Sequence, residues 1–328
     1  MLKKIALEAL TVALSLLLIP AAVKGIEERK NKKPAAQPEQ MSESKTPAEQ
    51  KEESIAVFLP ETDETKTLSM RDYVIGCVAA EMPAVYEDEA LRAQAAASAT
   101  LARYMQANNR NNKTLKGGVI AADPGSYQGY YTKEEMKKHW GEGYEDYYEK
   151  IAAAVDETLP YTITCDGAPI LAAFHAVSAG VTENAETVWD KKLPYLVSVP
   201  SDGDKLCPGY ASSVTVTAEE LKEKLGLSPD GKEAGDWLGE AEYSAAGTLL
   251  SQEICGKKVS GATLRDRFSL RSAAVQVGFD GDGFVLDVKG YGHGVGMSQY
   301  GADYYARQGL TWREILAHYY PGTVLQKQ

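Results

Sequence analysis

Nowhere in these 328 residues do two cysteines stand as a Cys-x-x-Cys pair; the four that occur, Cys77, Cys165, Cys207 and Cys255, are widely separated. Paired thiols are what make a zinc cage recognisable, so no metal site is expected. The cysteines allow three disulfide pairings, or none if they serve as small buried apolar groups. Basic residues do not cluster after residue 33 and the formal net charge is −11. A phosphate backbone needs a clustered basic surface, so nucleic acid is excluded as a partner. There is no internal repeat, and no Gly-x-Ser-x-Gly elbow accompanies His175 and Ser178, which argues against a serine hydrolase.

What is present begins with an apolar run from Ile5 to Val23, interrupted only by Glu8 and preceded by Lys3 and Lys4. It is long enough to span a bilayer. The run is long for a signal peptide and Pro20-Ala21-Ala22-Val23-Lys24 is a poor cleavage site, so an uncleaved anchor at 1–24 is expected over a cleaved leader. The leading lysines place the N-terminus in the cytoplasm and the body outside it, although Arg29, Lys30, Lys32 and Lys33 dilute that asymmetry. Residues 25–54, rich in Lys, Glu, Gln, Pro and Ser, read as a disordered linker.

Folded structure should begin with a strand at Ile55–Leu59. Ser69 to Met82 reads as a helix opened by Ser69 and Asp72 and ended by Pro83. An Ala-rich helix follows from Asp88 to Asn108, and another from Lys133 to Glu157. Strands are expected at Pro160–Cys165, Ile170–Ala176, 195–199 and 213–217, and a capped helix at Thr217–Leu225. Two strands lie between Ala273 and Val288, joined at Asp280-Gly281-Asp282-Gly283, and two helices close the chain, the second opened by Thr311 and Glu314. Helices and antiparallel strands are segregated, which makes the class α+β.

Three places offer chemistry. Glu81 ends the first helix on the stripe of Tyr73, Val74, Cys77 and Val78; helix end and apolar stripe both disfavour its charge, so it could donate a proton, unless it is merely one of 46 acids on a solvated face. His175 and Ser178 sit in a small-residue turn whose amides and hydroxyls could meet a ligand, with His175 alternatively a hydrogen-bonded structural residue. Gly290 to Gly301, with His293, Ser298 and Gln299, lacks dinucleotide-loop spacing. It suits either close approach to an extended ligand such as sugar or a tight turn needed for packing.

These motifs together resemble the stage II sporulation protein D family and its amidase-enhancer relatives. The resemblance is carried by Tyr73-Val74-Ile75-Gly76, Glu81-Met82-Pro83, Glu89 to Ala95, His175 to Glu183, Val188-Trp189, Pro194-Tyr195-Leu196, the run from Gly292 to Ala302, and Ile315 to Gly322. It implies a domain at 55–165 carrying the acid and a part at 166–328 completing the cleft. It also implies a lytic transglycosylase that cuts peptidoglycan strands stripped of stem peptides during septal remodelling and engulfment, in company with a cell-wall amidase and other septal sporulation proteins. Glu81 falls on the family's catalytic acid. Tyr195, His175, Ser178, His293, Ser298, Gln299 and Arg103 are the expected substrate-binding residues, with no metal and no cofactor.

Two departures matter. Where active members carry Arg eighteen residues after the glutamate, this chain has Ala99, with Arg103 one turn later; where they carry Lys two residues after the motif tyrosine, it has Val197. Losing both cations keeps alive a second expectation, a catalytically weak wall-binding scaffold that stimulates an amidase. Ala122 to Gln128 offers no thiol or imidazole where zinc-containing members have them.

Overall fold

The computed structural model describes residues 52–109 and 112–328. The expected anchor and nearly all of the expected linker lie outside them. No helix among the described residues is long and apolar enough to cross a membrane.

β1 (Ser54–Leu59) and β2 (Glu64–Ser69) form an antiparallel hairpin that pairs Ser54 with Ser69. The same Ser69 caps α1 (Met70–Glu81), its hydroxyl accepting from the Asp72 N–H, and Pro83 forces Met82 into extended backbone that ends the helix. α2 (Asp88–Asn108) is lined with buried alanines, and their small side chains let other elements approach it closely. β3 (Ile120–Ala121) runs parallel to β1.

The single helix expected from Lys133 is two, α3 (Lys133–Trp140) and α4 (Tyr144–Thr158), because Gly141-Glu142-Gly143 makes a 3-10 turn between them. β4 (Tyr161–Cys165) matches its expectation, but the strand expected at 170–176 shrinks to β5 (Ala168–Pro169) and β6 (Phe174–His175). Residues 195–199 form no strand. A short helix, α5, occupies Ala185–Trp189.

Next comes a segment with its own core. β7 (Ala211–Val216), α6 (Ala218–Leu225), β8 (Leu238–Tyr243), β9 (Leu249–Ile254), β10 (Lys257–Val259), α7 (Gly261–Phe268), β11 (Val275–Phe279) and β12 (Phe284–Lys289) build two three-stranded sheets, in the orders β10-β9-β8 and β11-β12-β7. Leu221, Leu249, Ile254, Leu264, Phe284 and Leu286 fill the space between them. The chain then returns to the first core through β13 (Met297–Ser298), α8 (Gln299–Arg307), α9 (Trp312–Tyr319) and β14 (Val324–Lys327), the last pairing antiparallel with β4. β13 lies parallel to β6, setting Ser298 opposite His175.

Residues 53–328 make one compact unit of α+β character. Its packing does not divide at residue 165: one core runs from Ile55 through Leu196 and resumes at Val295, while the other is confined to 216–288. α2 is the hub of the first, touching α1, α4, β4, α8 and α9.

Candidate active site

Tyr73, Cys77 and Glu81 stand four residues apart on α1 and share one face. Tyr73 and Cys77 are fully buried, and Glu81 at the last turn is half-buried. The chain between β3 and α3 passes beneath this face. Gln128 donates to the Tyr73 hydroxyl (3.0 Å), and the Gly129 N–H donates to Glu81 Oε1. A Cβ at position 129 would sit 3.1 Å from both Glu81 Oε1 and Ala80 Cβ, a tight contact that glycine avoids. Gln299, first residue of α8, donates to Gln94 Oε1 (3.3 Å) and presents its amide to Glu81 as a second donor.

Burial pushes the Glu81 carboxyl above its ordinary value, and the Gly129 and Gln299 donors pull it back without cancelling the rise. No second carboxylate contributes to that shift. An acid placed so can give a proton to a ligand oxygen and take one back.

The β6–β13 pair holds the next group. His175 donates from Nδ1 to the Val295 carbonyl (3.1 Å), leaving Nε2 buried and without a partner among the described residues. His293 Nδ1 accepts from the Val295 N–H (3.0 Å), and its ring lies 5.1 Å from the half-exposed Trp189 indole and 5.7 Å from His175. Burial first, then the neighbouring His293, lowers His175 to about 3; burial and the nearby Arg265 lower His293 to about 4. Both rings are neutral at pH 7.

Ser178 and Ser298 converge on a residue that nothing in the sequence singled out. Asp204 is fully buried, and its Oδ2 accepts from the Ser178 N–H (2.8 Å) and its Oδ1 from the Ser298 hydroxyl (2.7 Å). The Ser298 hydroxyl also accepts from the Gly301 N–H, capping α8. Asp204 thus fixes the start of the helix that carries Gln299. It lies in a Ser-Asp-Gly-Asp stretch that reads as a polar turn, and only burial distinguishes it from the exposed Asp202. The Ser178 hydroxyl accepts from the Gly180 N–H, and no hydrogen bond joins Ser178 to His175 among the described residues. In the glycine-rich run, Gly296 (φ 74°) crosses Ala173 so closely that a Cβ would fall 2.0 Å from the Ala173 carbonyl oxygen. The reading of that run as a tight packing turn holds at this position.

Two expected ligand-binding residues are elsewhere. Arg103 is buried, and all five of its N–H groups are taken: by both Glu53 oxygens, the carbonyls of Leu159 and Tyr161, and Thr162 Oγ1. It pins β4 to the hub helix and replaces no cation beside Glu81; Ala99 itself is fully buried. Tyr195 is buried in the first core with its hydroxyl accepting from the Leu171 N–H (3.2 Å), near Tyr104. Tyr104 lies ten residues along α2 from Gln94, about 15 Å of helix rise.

The four cysteines are free thiols, Cys77 buried and the others half-buried. No cluster of three His, Cys, Asp or Glu among the described residues is placed to hold a metal. A cavity of about 680 Å³ opens between the two cores, and Glu81 is not on its wall.

An α+β body in which a half-buried carboxyl, raised by burial, meets a glycine amide is therefore the class of protein in hand. The family described as SpoIID, Stage II sporulation protein, matches residues 60–164. Stage II sporulation protein D of Bacillus subtilis (strain 168) is 39% identical over 275 residues, covering 84% of this chain and 79% of that protein. The protein of the same description from Bacillus amyloliquefaciens is 37% identical, over 82% of this chain and 77% of its own. An amidase enhancer of Bacillus subtilis (strain 168) is 24% identical over 76% of this chain and 40% of its own length. The chain belongs to the stage II sporulation protein D family.

Proposed function

We propose that this protein is a membrane-anchored lytic transglycosylase acting on denuded peptidoglycan strands outside the cytoplasm, at the sporulation septum. The observation that carries the reading is the Glu81 carboxyl, raised by burial and held by the Gly129 and Gln299 amides. Glu81 gives its proton to the glycosidic oxygen as the C1–O bond breaks. Its carboxylate then takes the proton of the muramyl 6-hydroxyl as O6 bonds to C1. The products are a 1,6-anhydromuramyl end and a free sugar hydroxyl, with no water consumed and Glu81 protonated again. Intramolecular attack draws on proximity, so one carboxyl suffices where hydrolysis needs two.

A second reading rests on Arg103. Because its guanidinium is consumed inside the fold, the cation missing at Ala99 has no substitute from that side chain, which favours a weakly active wall-binding scaffold that stimulates an amidase. One experiment separates the two. The full-length chain, in detergent, is incubated with amidase-treated peptidoglycan and the products are read by mass spectrometry. Anhydromuramyl ends that vanish in Glu81→Gln support the enzyme. Stimulation of an added amidase without such ends supports the scaffold, and reducing muramyl ends defeat the transglycosylase.

A further inference from the structure

The cavity between the two cores is of the size that takes a small ligand. Its walls come from both cores: Ser178, Glu183 and His293 on one side, and Arg265, Ser260 and Lys289 on the other. Glu183 is already satisfied there, its oxygens accepting from the Asn184 N–H and the Ser244 hydroxyl. Asp266, also on the wall, is exposed and stands 3.8 Å from Arg267. Arg265 and Lys289, by contrast, have no ion-pair partner among the described residues. Arg265 is half-buried, and burial lowers its pKa, the signature of a guanidinium short of countercharge. Beside it His293 also faces the cavity, and the Arg265 charge helps hold that ring neutral.

An unpaired, partly dried arginine over walls that mix hydroxyls with Val, Ala and Leu fits a sugar bearing a carboxylate. The guanidinium takes the carboxylate, the wall hydroxyls meet those of the sugar, and the aliphatic patches take an N-acetyl methyl. The loop that donates Gly129 to Glu81 also lines this cavity through Gly125, so at most about 14 Å of chain separates the two places.

We propose that this cavity is a second glycan subsite, distinct from the Glu81 site, in which Arg265, assisted by Lys289, recognises the free lactyl carboxylate of a peptide-stripped muramyl residue. The identity of the ligand rests on the function proposed above; the site does not need Glu81 to be catalytic. It gives the protein a means of preferring denuded strands, since an attached stem peptide converts that carboxylate to a neutral amide.

The test is calorimetric titration of the full-length chain carrying Glu81→Gln, so that nothing is cleaved. Three ligands are compared: amidase-treated glycan strands, chito-oligosaccharide of equal length, and free stem peptide. The carboxylate-bearing strands should bind about tenfold more tightly than the uncharged oligosaccharide, the scale of one charge-assisted hydrogen bond. Arg265→Gln should erase that preference. If Arg265→Gln fails to fold, Ala262→Trp, an exposed wall position, fills the cavity instead and should have the same effect. An unchanged preference in these variants, or stem peptide as the ligand whose binding follows Arg265, overturns the proposal. Absence of anhydromuramyl products in the cleavage assay would strike the transglycosylase reading and leave this measurement standing.

Discussion

Glu81 and Asp204 lie in different parts of the body, and burial raises the carboxyl of each above its usual range. Asp204 has no exposed surface and is met by the Ser178 N–H and by the hydroxyls of Ser178, Ser201 and Ser298. Glu81 keeps an open side and meets only the Gly129 and Gln299 amides. The comparison shows that burial alone does not make an acid useful. A carboxyl enclosed by donors ties chain segments together, whereas one left partly open and short of donors can pass its proton to something else.

The sharpest way to break this comparison is to replace each acid by its amide. Glu81→Gln should reduce anhydromuramyl product by about 10²- to 10⁴-fold, the span of a general acid, with no fall in melting temperature, read by mass spectrometry and calorimetry on the same preparation. Arg103→Met should lower stability by about 3 kcal/mol, because it strips a buried guanidinium from Glu53 and two carbonyls. Urea unfolding measures it. Were Arg103 a ligand residue after all, substrate affinity would fall instead and the unfolding midpoint would stay put. Asp204→Asn should cost about 1–3 kcal/mol, since an amide offers one acceptor oxygen where two are in use and turns an N–H toward another donor. Activity should fall with it, as the start of α8 and Gln299 shift.

The smallest effect is a sign. The folded-state pKa of Glu81 is raised, so its protonated form adds stability that is fully present below the unfolded carboxyl value and is lost as pH rises through the folded value. Glu81→Gln should therefore be the more stable protein at pH 7, and the advantage should shrink as the solution is acidified. Thermal scans at several pH values, in which the wild-type chain stayed the more stable at neutrality, would show that the carboxyl is not held against its charge.

Much of the local architecture is legible in the sequence, for reasons that can be named. Ser69 with Asp72, Thr217 with Glu220, and Thr311 with Glu314 announce helix starts because the capping bond spans only three residues. Pro83 announces an end for the same local reason. The break that Gly141 and Gly143 make falls inside the span expected as one helix from Lys133 to Glu157. β8 has no buried residue and β10 only Val259, and β9 does not alternate regularly, so the second core was invisible until its strands were paired.

The sequence alone determined the class of the fold, the helix boundaries set by caps and proline, and the family to which the motifs belong. Tertiary structure decided which acid is half-open and which is enclosed, that Arg103 turns inward to Glu53 while Gln299 meets Gln94 from 205 residues away, and that a cavity opens between two cores. The reason is range. A cap or a stripe is an interaction between residues three or four apart, whereas a carboxyl's dielectric surroundings and its donors come from segments that only the folded chain brings together.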